Sequence, residues 1–203
     1  LVSIYRFSTD DEAIDLAKIY FSYLPSSWQL PSPTYHPEPP TRPLTRHTVP
    51  ERESVPFDIH EVIDGLVDED SFFELKPLFA PEIVIGLAHV HGQSVGIVAN
   101  NSAVKGGVLF SDSADKASRF IWLCDAFSIP LIYLADVPGF MIGSEVERGG
   151  IIRHGAKMVA AVASATVPQL CVVVRKAYGA GLYAMGGPGF SPDATIALPT
   201  ARI

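Results

Sequence analysis

The stretch QLCVVVRKAYGAGLYAMGG, residues 169–187, changes character at its middle. Its first part is apolar and β-branched, and reads as a buried strand over 169–176. Its second part is glycine and small residues, and reads as a turn that starts a helix near Gly181. An apolar strand that feeds a glycine turn and a helix is a repeating unit of covered, mostly parallel α/β sheets.

The same unit recurs on either side. PLIYLAD, residues 130–136, is a second continuous apolar strand, broken by VPGF. An alanine-rich helix over 150–165 separates the two strands. Residues 113–127 read as an amphipathic helix: Ser113 can cap it, and Ala117, Phe120, Ile121, Cys124 and Phe127 recur at helical spacing. IVIGLAHV (83–90) and VGIVAN (95–100) read as strands joined by a turn at HGQS, residues 59–66 as a short helix, and TIALP (195–199) as a last strand. The expected fold class is α/β.

The N-terminal quarter differs in kind. Residues 10–24 carry one apolar helical face, with Asp10 or Asp11 as cap and Pro25 as stop. Nine of the 17 prolines then fall between Pro25 and Pro56. Proline locks φ and removes a donor, so 25–56 reads as an extended, semi-rigid linker. A short helix cannot fold by itself. The expected organisation is therefore the terminal helix of a preceding domain over 1–24, the linker over 25–56, and a C-terminal domain over 57–203. That domain ends on a strand just finished, so it reads as incomplete.

Composition narrows the function. The chain has 203 residues, 48% of them hydrophobic, with 18% charged and a net charge of −7. No cluster of five basic residues occurs, which argues against a nucleic-acid partner. No apolar run approaches the roughly 20 residues of a membrane span. The two cysteines, Cys124 and Cys171, lie in apolar patterns and read as buried thiols in a reducing cytoplasm.

Several motifs compete for the chemistry. Gly92-Gln93-Ser94-Val95-Gly96 spells the nucleophile elbow, but strands on both sides put Ser94 in a hairpin turn. His89 and His91 share a strand face without a third metal ligand, and read as solvated. His154 reads as surface or interface. Asp136 ends a strand at the edge where such sheets bind ligands, and reads as a partner for loop amides rather than a catalyst. Gly179-Ala180-Gly181-Leu182-Tyr183-Ala184 fits a loose dinucleotide pattern. Four residues separate its first glycine from the apolar strand, and no acidic residue ends the next strand. Bare N–H groups at a helix start can instead hold an oxyanion. Close helix–strand packing through glycine is the remaining alternative.

The pieces SADKASRFIWLCDAFSIPLIYLADVPGF, ERGGIIRHGAKMVAAVASATVPQLCVVV and KAYGAGLYAMGG, with YLPSS and DIHEVIDGLVDEDSFFELK, carry a resemblance. The chain resembles the C-terminal half of the carboxyltransferase (beta) subunit of biotin-dependent acyl-CoA carboxylases, the propionyl-, acetyl- and methylcrotonyl-CoA group. The resemblance implies a crotonase-like fold of repeated ββα units. It implies transfer of a carboxyl group from carboxybiotin to the α-carbon of an acyl-CoA. Biotin would arrive on a separate carrier domain, with a biotin carboxylase/carrier subunit as partner. The active site would be shared within a homo-oligomer, and no metal would take part.

The family uses two oxyanion holes, and the one for the biotin ureido oxygen falls here on the backbone N–H groups of Ala180 and Gly181. Gly179 and Val137-Pro138-Gly139-Phe140 match the biotin-binding loops, and Tyr183 falls where the pocket limits acyl length. The other hole belongs to a domain this chain does not contain. A decarboxylase or transcarboxylase of the same fold, a biotin-free crotonase-like CoA enzyme and a non-catalytic assembly subunit are the alternatives.

Overall fold

β-branched side chains have few χ1 choices and pack well on a pleated surface, so the Val/Ile runs of this chain become strands. The computed structural model describes residues 8–203. Six strands form one sheet in sequence order: β1 (Phe73–Leu75), β2 (Ile83–Val90), β3 (Gln93–Asn100), β4 (Leu131–Val137), β5 (Gln169–Ala177) and β6 (Ala194–Ala197). β1, β2 and β3 pair antiparallel, and β3 through β6 pair parallel. The helices are α1 (Asp10–Ser22), α2 (His60–Asp64), α3 (Ser111–Ala126), α4 (Ser144–Arg148), α5 (Ile151–Ser164) and α6 (Ala180–Ala184).

Successive strand residues point to opposite faces, and both faces are covered. On one face Leu87, Val98, Tyr133 and Val173 pack against Phe120, Ile121 and Cys124 of α3 and Met158 and Val162 of α5. On the other, Val84, Ile97, Leu134 and Val174 pack against Phe57, Ile59, Val62 and Ile63. This double cover is why the central strands carry no polar alternation.

Local chemistry moves several expected boundaries. Thr9 caps α1 in place of Asp10 or Asp11, its Oγ1 accepting from Glu12 N–H at 3.3 Å. Helix α3 begins before Ser113. The Ser113 hydroxyl accepts from Phe110 N–H at 3.1 Å and donates to the buried Glu82 at 2.6 Å. The β2–β3 turn is His91-Gly92, with φ of 52° and 77°, so Ser94 lies inside β3 and is buried. Positive φ at both central residues matches the twist of the flanking strands. Strands β1 and helix α4 had no periodic signal long enough to read.

Residues 25–56 contribute no strand to the sheet and no helix, yet they lie on the body. Thr34 bridges Gln93, and Tyr35 N–H donates to Gly92 C=O at 2.8 Å. A Cβ on Gly92 would lie 2.0 Å from the Tyr35 carbonyl oxygen, so only glycine admits this approach. The rings of Tyr23 and Tyr35 flank the His89 imidazole at 4.7 and 4.5 Å.

His60 opens α2 between two carboxylates, Asp58 at 2.6 Å and Glu74 at 2.9 Å. The Glu74 hydrogen bond, helped by Asp58, raises its pKa from 6.5 to about 9 against the opposing effect of burial. The folded state thus binds the His60 proton more tightly than the unfolded chain does. Its contribution to stability is complete below the unfolded value and is lost as pH rises through about 9. Thermal melts of the parent and His60→Gln should therefore differ most just below pH 6.5 and converge as pH rises through about 9. A constant difference across that window would show that the ion pairs do not stabilise the fold.

Candidate functional site

β4 and β5 are parallel neighbours, so their carboxyl ends reach the same sheet edge, where ligand crevices form in such folds. β4 continues into Pro138-Gly139-Phe140, and β5 into Tyr178-Gly179. Val137 pairs with Ala177, and Tyr178 N–H donates to Val137 C=O at 3.1 Å. The two loops then close on each other. A Cβ on Gly181 would sit 2.9 Å from Val137 Cγ2 and 3.0 Å from Gly139 Cα, so glycine is what lets α6 approach the loop. Gly139 has φ 128°, and its carbonyl accepts from Leu109 N–H at 3.0 Å.

Gly179 has φ 53° and ψ −136°, a region essentially reserved for glycine. It turns the chain so that α6 starts at Ala180. The Ala180 N–H has no acceptor among the described residues, and Ala180 is exposed. The Gly181 N–H, by contrast, donates to Tyr178 C=O at 3.1 Å. The expectation of two bare amides is corrected to one, because the tight turn closes on the second. Ala180 and Phe140 line one apolar groove of about 310 Å³ with Met141, Ile151, Gly155 and Val159, and Glu147 stands at it as well. The sequence had no signal for Glu147, which the short α4 delivers. Tyr183 is half exposed and packs edge-on to Phe190 at 5.8 Å, over Gly189, and is not among the groove residues.

Asp136 does not serve loop amides. Its carboxylate is fully buried and takes Arg175 Nε at 3.2 Å and Nη2 at 2.8 Å. The same guanidinium donates to the Arg52 and Val55 carbonyls at 3.1 and 2.6 Å and to Ser102 Oγ at 3.2 Å, and lies 4.9 Å from the Phe57 ring centroid. Arg175 therefore continues β5, which runs to Ala177. The four-residue gap used against a dinucleotide site disappears, and only Tyr178 precedes Gly179. The missing acidic residue after β6 still argues against a nucleotide, and α6 has only 5 residues.

The other candidates disperse. His89 is half-buried between two tyrosine rings, and burial lowers its pKa, which corrects the solvated reading; His91 sits exposed in the hairpin turn, as expected. Ser94 Oγ is buried with no hydrogen-bond partner, far from the role of an activated nucleophile. His154 bridges α5 to α3 through Asp115 at 2.9 Å, which Lys157 also contacts at 2.6 Å. Among the described residues no three His, Cys, Asp or Glu side chains gather as a metal site, and no helix is long and apolar enough to cross a membrane.

The fold is that of a crotonase-like α/β protein, with an apolar groove at the carboxyl ends of β4 and β5. The chain belongs to the carboxyl transferase domain family, whose profile matches residues 2–203. It is 61% identical over 198 residues to an uncharacterized carboxylase of Bacillus subtilis, covering 96% of this chain and 39% of the relative. A putative propionyl-CoA carboxylase beta chain of the same organism is 44% identical over 195 residues, with 96% and 38% covered. Among solved structures, the transcarboxylase 12S hexamer with methylmalonyl-coenzyme A and methylmalonic acid bound superposes with a TM-score of 0.92 at 43% identity. That match covers 96% of this chain and 38% of the 12S chain. The chain thus spans about two fifths of the length of the curated relatives it matches.

Proposed function

We propose that this chain is the part of an acyl-CoA carboxyltransferase that receives carboxybiotin, and that its Ala180 N–H is a donor to the ureido oxygen. The single observation that carries this reading is an exposed amide without an acceptor at an apolar groove between two glycine loops. The bicyclic ureido ring system of biotin, apolar but for one strong acceptor, fits such a groove: apolar walls for the rings, one donor for the oxygen. Carboxybiotin supplies the carboxyl group, and negative charge grows on the ureido oxygen as the group leaves.

A fixed amide stabilises that charge without reorganising, and the apolar walls strengthen the effect by excluding water. Phe140 lines the groove; Val137, Pro138 and Gly139 of the same loop, and Gly179, whose positive φ starts the turn into α6, are assigned to biotin by resemblance. Gly181, whose own N–H is engaged, serves by close packing. Tyr183 is assigned to the acyl pocket by resemblance alone. An acyl-CoA is the acceptor substrate, a biotin carboxylase/carrier subunit and further copies of the protein are the partners, and the setting is cytoplasmic. Relatives named for propionyl-CoA carboxylase and a hexameric transcarboxylase support these assignments, as do two buried, free cysteines.

The test is an assay of the full-length protein with biotin carboxylase, carrier, ATP and labelled bicarbonate across a panel of acyl-CoAs. Label should appear in a carboxyacyl-CoA only when the carrier is biotinylated. Turnover of an enoyl-CoA without biotin would instead establish a crotonase-like hydratase or isomerase, for which Glu147 is the available carboxylate. Absence of acyl-CoA binding by calorimetry would establish an assembly subunit.

A further inference from the structure

Glycine at 179 creates a problem that other residues must solve. A Cβ placed there would meet nothing within 4 Å, so packing does not hold this residue. Glycine is also the most permissive backbone. The Gly179–Ala180 peptide plane carries the Ala180 N–H, and its direction must be set from outside.

Tyr178 is held at every polar group it has. Its N–H donates to Val137 C=O at 3.1 Å, its C=O accepts from Gly181 N–H at 3.1 Å, and its hydroxyl donates to Glu53 Oε2 at 3.0 Å. Glu53 lies 125 residues earlier in the chain, in the proline-rich segment, and is itself clamped. Arg175 Nη1 takes the carbonyls of Arg52 and Val55 on either side of it, and Arg202 Nη1 meets Glu53 Oε1 at 3.1 Å. Arg202 in turn is paired through its backbone to β5: its N–H donates to Arg175 C=O at 2.8 Å, and its C=O accepts from Ala177 N–H at 3.0 Å. Three remote segments thus converge on the residue before Gly179.

We infer that Glu53 and Tyr178 are positioning residues that aim the Ala180 N–H into the groove, an inference that rests on the carboxyl-transfer reading. A bare structural tie would hold segment 52–55 through Arg175 alone. The Glu53–Tyr178 bond adds a contact to the one side chain that neighbours the glycine turn. An amide misaimed by a fraction of an ångström still admits substrate but stabilises developing charge less well. The effect belongs in kcat, with KM unmoved.

The experiment uses the full-length protein assembled with biotin carboxylase and carrier, with propionyl-CoA as the probe substrate. Tyr178→Phe keeps the ring and deletes only the hydroxyl. It should lower kcat about tenfold with KM for propionyl-CoA and the thermal midpoint unchanged, and Glu53→Ala should do the same. Glu53→Gln retains an acceptor oxygen and should recover kcat to within about twofold of the parent. Tyr178→Phe combined with Glu53→Ala should be no worse than Glu53→Ala alone, since that variant already removes the Tyr178 bond along with the Arg202 pair. The inference is overturned if Tyr178→Phe keeps parental kcat, if KM rises while kcat stays, or if the two losses multiply. Should a variant melt early, the Gln variant at position 53 decides: recovery of kcat supports positioning, and an equal loss overturns it. Ala180→Pro is assayed alongside. If it is inactive while Tyr178→Phe is not, the positioning role falls and the carboxyl-transfer reading stands. If Ala180→Pro is active, the oxyanion reading itself falls.

Discussion

Ala180→Pro is expected to lower carboxyl transfer by a factor of about 10²–10³ while the protein melts at its parental temperature, the usual cost of one oxyanion donor. Proline removes the N–H that has no acceptor among the described residues, so no internal hydrogen bond is lost. Ala180 is the first residue of α6, the position where proline suits a helix best. The residue before a proline must avoid the α region. Gly179, at φ 53° and ψ −136°, already sits near the mirror image of polyproline II, which glycine adopts freely. Function and fold are therefore separable at this site. Parental turnover by a folded Ala180→Pro protein would remove the amide from the mechanism. An unfolded variant would show that the turn geometry differs from the one described.

The second large effect is on stability. Asp136→Ala leaves the Arg175 guanidinium buried with its charge uncompensated, and should cost about 3–5 kcal/mol in urea unfolding. That is a large part of the stability of an ordinary domain. Both side chains are fully buried, so solvent screening cannot soften the loss. Replacing both residues with leucine should restore much of the stability, because two desolvated charges are then replaced by packing. The double variant still leaves the Arg52 and Val55 carbonyls without their donor. Trypsin should then cut after Arg52 faster than in the parent. A cost below about 1 kcal/mol for Asp136→Ala would mean that water reaches the pair.

The strands, the two long helices over the sheet and the glycine turn were legible because each depends on neighbours in sequence. Valine and isoleucine runs specify strands, and Ala117, Phe120, Ile121 and Cys124 specify a helix face whatever they pack against. Short elements were not legible: β1 has 3 residues and α4 has 5, fewer than a periodic pattern needs. The burial of His89 had no local signal, because the rings that cover it come from Tyr23, at the C-terminal cap of α1, and Tyr35 in the proline-rich segment. Asp136 and Arg175 carried a faint signal, two opposite charges near the ends of adjacent apolar strands, but their register becomes visible only once β4 and β5 pair.

By itself the sequence determined a covered α/β sheet, a glycine turn at the end of the strand over 169–176, and family membership, because motif order and hydrophobic period survive without coordinates. The tertiary structure decided which amide is available. Whether an N–H is bare depends on what carbonyl the turn brings near it, and here the turn engages Gly181 and leaves Ala180. It also decided that a proline-rich segment reaches Tyr178. Such contacts join residues more than a hundred positions apart, and no local preference encodes them.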